Sequence, residues 1–151
     1  VSFTAAEGRR QLLDDLASAT ERIAVAIDAL EQAYEQLDEQ AADAVEAELF
    51  RPVQVAYGRA QRTHAQFAQR SGLSARGFSA PTPGRPLPAS QQLARAADEL
   101  ELADAALAAL QDSMLPVEVG DRELRAGLAQ VRTLIAALPA RTRTMMRTLG
   151  R

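Results

Sequence analysis

The chain has 151 residues, a formal net charge of -3 and 17 basic residues, all of them Arg. That size is enough to bury a core as one domain without metals or disulfides, and the acidic balance gives no overall pull toward nucleic acid or anionic membranes. Cys, Lys, Asn and Trp are absent, which removes thiolate zinc sites, Cys nucleophiles and every Lys-based mechanism; together with abundant Ala it reads as the codon bias of a GC-rich bacterium.

Thr4-Ala5-Ala6-Glu7 has the form of a capping box, so a helix is expected from there. Leu13, Leu16, Thr20, Ile23, Ile27, Leu30, Tyr34 and Leu37 then recur at steps of three and four, a coiled-coil-like apolar stripe interrupted only by Thr20. This first helix is expected to cover 4–37. The stripe slips near Asp38 to Gln40, which predicts a tight turn and a second helix over 41–71, kinked by Pro52. The alternative is one helix continuing to Phe50. Ser71-Gly72-Leu73 predicts a left-handed glycine stop of the Schellman kind.

Residues 72–89 hold four prolines and three glycines and form the one true linker. Its Pro83, Arg85, Pro86 and Pro88 favour an extended polyproline conformation, a candidate ligand for an aromatic groove on a protein partner, and Phe78 is a candidate anchor to the helices. The third helix is expected over 90–114, capped by Ser90 and ended by Pro116. Asp121 is expected to cap a fourth over 121–149, with Pro139 bending it. Four such stripes predict an all-α four-helix bundle. The linker allows two topologies, a looped up-down-up-down form and a long crossover, and the looped form, with helices 2 and 3 antiparallel, is the expectation.

Charge is sorted into blocks. Residues 1–50 hold twelve acids against Arg9, Arg10 and Arg22; 51–97 hold seven Arg and no acid; 98–121 reverse this; from 122 onward seven Arg face only Glu123. Complementary helix surfaces explain the blocks without a partner. In the looped topology they would instead gather Arg9, Arg10, Arg70, Arg95, Arg143, Arg147 and Arg151 at one pole. Arg143, Arg147 and Arg151 lie four apart on one helical face, and with Arg141 they are candidate anion-binding residues.

No catalytic set converges. A ferritin-like metal site needs paired Glu-x-x-His motifs, and the chain has a single His, preceded by Gln61 at the Glu position. His64 lacks the neighbours of a phosphotransfer histidine and reads as half-exposed beside Phe67. No cofactor, metal or catalytic residue is therefore expected. The expectation is a non-enzymatic interaction or structural protein, with a small-ligand or polyanion (nucleic acid) binder as the alternative. Leu12, Leu102 and Leu134 flank the main stripes and suggest a homodimer. No apolar run reaches the ~20 residues a membrane span requires, and no signal peptide is visible, so a soluble, cytoplasmic protein is the default expectation.

Overall fold

A computed structural model describes residues 4–78 and 81–149. Among them every regular element is helical: α1 (Ala5–Glu35), α2 (Glu39–Val45), a π turn (Glu46–Phe50), α3 (Arg51–Arg70), α4 (Ala89–Asp112), α5 (Leu115–Glu118), α6 (Arg122–Ile135) and α7 (Leu138–Leu149). No helix of the described residues is long and apolar enough to cross a membrane.

Helix ends follow local chemistry. Thr4 and Glu7 close the capping box on α1 in both directions. Asp38 caps α2 by accepting from Ala41 N, so the turn lies where the stripe slips. At the end of α3, Leu73 N donates to Ala68 O and Gly72 N to Gln69 O, with Gly72 at φ 69°, the Schellman arrangement a Cβ would disfavour. Asp121 caps α6 through Leu124 N.

Four helix boundaries differ from expectation. Ser90 does not cap α4, which starts one residue earlier after Pro88 and has no side-chain cap. α4 stops at Ser113, whose extended backbone and hydroxyl contacts break the ladder, and Pro116 sits inside α5 rather than ending α4. Pro52 does not simply kink a helix: α2 runs into α3 through the π turn, in which Arg51 N reaches back five residues to Glu46 O. Pro139 has no N-H to donate, and the last helical stretch is divided just before it, yet Ile135, Leu138, Thr142 and Met145 stay buried on one face.

The helices pack as neighbouring pairs, α1 on α4 and α3, α3 on α6, and α4 on α7. Their directions are fixed by side-chain contacts. Along α1, Arg22 pairs with Glu99, Asp28 with Arg95 and Gln32 with Gln92, so α1 and α4 are antiparallel. Arg70 meets Asp121, and Arg141 reaches Glu48, so the α6–α7 segment is antiparallel to α2–α3. His64 lies by Leu13 and Asp14 while Tyr57 lies by Ala24, so α3 also runs antiparallel to α1.

It follows that α3 and α4 are parallel, and the looped up-down-up-down expectation is overturned. The linker climbs α1 instead: Arg76 is at Glu21, Pro81 at Val25 and Leu87 at Gln36. Eighteen residues at ~3.1 Å each are long enough to travel the ~45 Å of a 30-residue helix, so linker length permitted either path. Packing selects the crossover, because α1 and α4 share the broadest contact, and both helices bring small residues, Ala19, Ala26, Ala33, Ala96 and Ala103, into the common core beside Leu16, Ile23, Leu30, Leu93 and Leu100.

Leu12 is fully buried and Leu134 packs partly against the core, so of the three flanking leucines only Leu102 is well exposed, at 47%. Thr20 and Thr142 are tolerated in the core because each hydroxyl donates to the carbonyl four residues earlier, Leu16 and Leu138.

Candidate functional site

Where the strap formed by the linker passes the last turns of α1, the two leave an open groove of about 800 Å³. One wall is Asp28, Glu31, Gln32, Glu35 and Gln36, residues three or four apart and hence on one helical face. The other is Pro83, Gly84, Pro86, Leu87 and Pro88 of the strap. Proline fixes φ and removes N-H donors, so this wall is stiff and offers mainly carbonyls and apolar rings.

Polar contacts hold the groove's shape. Gln36 donates to Leu87 O at 2.7 Å and pins the strap to the end of α1. Gln92, fully buried on α4, donates to Gln32 Oε1 at 2.8 Å, and Gln32 donates to Asp28 at 2.9 Å. Arg95 adds a 3.3 Å contact to Asp28 and neutralises that carboxylate.

Glu31 and Glu35 have no such partner among the described ion pairs. Partial burial, then the fields of Asp28 and Glu35, raise the Glu31 pKa above the usual carboxylate value. The last turn of α1 carries no basic residue, so these acids also sit at the negative end of the helix dipole. A second, smaller groove of about 330 Å³ adjoins through the same Glu31 and Glu35 and adds Tyr34, Glu46 and Phe50. Tyr34 is 42% exposed there. The result is a negative surface with aromatic and proline faces, suited to a cation.

The candidate arginines are placed differently. Arg143 binds Glu101 and, at 2.9 Å, Asp98, both on α4. Arg141 donates at 3.1 Å to Glu48 O across the helices. Arg147 donates to Thr144 on its own helix and shares a shallow depression with Arg143. Arg151 lies outside the described residues. Nor do the described residues form a single basic pole. Arg70 is paired with Asp121 at the end where α1 begins, whereas Arg95 and Arg143 face the acids of α1 and α4 toward the other end. The crossover topology mixes the charge blocks.

In the linker, Pro83, Pro86 and Pro88 line the groove, while Arg85 is exposed outside it. Phe78 is half-buried against His64, ring centroids 5.3 Å apart and nearly perpendicular. His64 is 3% exposed, not half-exposed, because the strap covers it. The residues that sequence reasoning missed are Glu31, Glu35 and Gln92. A signal existed for the first two, namely acids spaced four apart at a helix end with no basic residue following.

Among the described residues no group of three or more His, Asp or Glu is arranged to hold a metal ion. Compared with known protein families, curated proteins and solved structures, the chain matches none.

Proposed function

We propose that this chain is a four-helix bundle with one long crossover, and that it works by holding a protein partner rather than by turning over a substrate. The partner is a basic segment, rich in Arg or Lys, seated in the groove between α1 and the strap. The observation that carries this reading is the uncompensated pair Glu31 and Glu35, opposite the proline wall of the strap. Like charges four apart on a helix, at the dipole's negative end, are unfavourable in isolation and become favourable once a cation lies between them. The arginines that would serve a polyanion are largely engaged with α4 and with the helix backbone.

Fluorescence anisotropy with a labelled Arg-Gly repeat peptide tests the reading. Binding is expected at ~50 mM salt and should weaken as salt rises, since the groove is open and screened. Glu31→Gln with Glu35→Gln should weaken it several-fold. Duplex DNA under the same conditions is the opposing probe: binding of DNA but not of the peptide, lost on exchanging Arg141, Arg143 and Arg147 for Gln, would replace this reading with the polyanion one.

A further inference from the structure

His64 is the only histidine in the chain, and it is placed where its charge matters. Its ring is 3% exposed, Nδ1 has no hydrogen-bond partner, and the strap closes over it through Phe78. We propose that the His64–Phe78 contact is a pH-operated latch: protonation drives the imidazole toward water, unseats Phe78 and frees the lower strap from the helices.

The groups around the ring determine the balance. From α1 come the Asp14 carboxylate and the Leu13 backbone carbonyl, both of which favour the charged ring. From the strap comes Arg76, whose guanidinium lies over the Phe78 ring 5.9 Å from its centroid and also pairs with Glu21. α6 meets α3 next to His64, at Thr63, through the uncharged Gly127. Desolvation outweighs Asp14 and Leu13, so the buried ring is held below its ordinary value of 6.5. An open strap lets water reach the ring, relieves the desolvation and moves the pKa back up. As pH falls the open form therefore takes the proton first, and the closed form is progressively disfavoured until the lowered pKa of the buried ring is passed.

Among the described residues of the lower strap, Leu73 packs partly against the core at its foot, and beyond it Phe78 is the main apolar contact with the helices. Ser74, Ala75, Arg76 and Gly77 are exposed, and the Arg76–Glu21 pair is a surface contact worth ~0 to 1 kcal/mol. The upper strap is fixed separately by Gln36 and Leu87, so only the lower part is expected to move. The latch depends on this geometry alone and not on which partner the bundle holds.

The chain contains no Trp, so Phe78→Trp gives a single reporter. Between about pH 8 and about pH 5 its emission should shift to the red and its quenching by acrylamide should rise at least about twofold, with helicity by circular dichroism unchanged. Adding His64→Gln should abolish the response. An unchanged response in that double variant, or none in the single one, overturns the latch. The unaltered protein supplies an independent reading by proton NMR, because one histidine gives one imidazole Hε1 signal. The cross-relaxation peak between the His64 and Phe78 rings should be present at high pH and vanish as that signal titrates below 6.5, and its survival through the titration would equally sink the proposal.

Discussion

Arg141 of α7 donates to the backbone carbonyl of Glu48 at 3.1 Å, the carbonyl four residues before Pro52. Proline has no N-H to give that carbonyl, and the π turn before it shows how the ladder adjusts. Arg141 thus compensates a local backbone defect on a neighbouring helix. Arg141→Ala should lower stability by about 1 kcal/mol, the usual net worth of one hydrogen bond. In a Pro52→Ala background the cost should shrink, since the substituted residue would carry its own N-H. Urea unfolding of the four proteins of this cycle measures the coupling, and strict additivity would show that the contact is incidental.

The approach of α3 to α6 depends on Gly127. A Cβ built there would collide with the Thr63 hydroxyl and fall 2.6 Å from its Cγ2. Thr63 is buried, and its hydroxyl also donates to Arg59 O, which limits its freedom to turn away. Gly127→Ala normally gains about 1 kcal/mol in a helix. Here the collision should reverse the sign, with a net loss of about 1–3 kcal/mol by overpacking. Combining it with Thr63→Ala should recover part of that loss in thermal unfolding.

Asp121 carries two duties, capping α6 and binding Arg70 through both carboxylate oxygens at 2.6 and 2.9 Å. The Arg70 hydrogen bond, then the Leu124 N-H, hold its pKa below the usual Asp value against the opposing pull of burial. The stability it adds is present above the unfolded Asp pKa and is lost as pH falls through the lowered folded value. Asp121→Ala should cost about 1–2 kcal/mol near neutral pH, from cap and pair together. Asp121→Asn keeps the cap oxygen and should cost less. Unfolding curves at neutral pH and near pH 3 should show both differences narrowing in acid.

Glu31 behaves in the opposite sense. Its raised pKa means that the folded state takes a proton before the unfolded one, so its ionisation works against folding as pH rises above the ordinary Glu value of 4.5. Glu31→Gln should therefore stabilise the free protein at neutral pH, by about 0.5 kcal/mol given like charges three and four residues away. The gain should fade below pH 4.5. A destabilised variant at neutral pH would mean that Glu31 has a favourable contact within the chain, and the partner proposal would lose its motive.

Thr4 and Glu7, Asp38, Gly72 and Asp121 announce helix ends through interactions within a few residues, and local chemistry suffices to read them. The three-four stripes give the buried faces for the same reason, since side-chain direction repeats with the helical turn. The sites are another matter. His64 is covered by Phe78, fourteen residues on, and Glu31 faces Pro83 across a groove that exists only because the strap passes there.

The sequence by itself therefore determined the helical class, the helix ends set by Thr4, Asp38, Gly72 and Asp121, the extended linker and the alternating charge blocks, all of which follow from spacing along one chain. Tertiary structure alone decided that α3 and α4 run parallel, that Arg143 meets Asp98 while Arg70 meets Asp121, and that the strap buries the one histidine. The physical reason is that an eighteen-residue linker costs little more entropy to close one way than the other. The choice then falls to the best burial of α1 against α4, a property of two faces whose paired residues lie 60 to 77 positions apart and which no local pattern encodes.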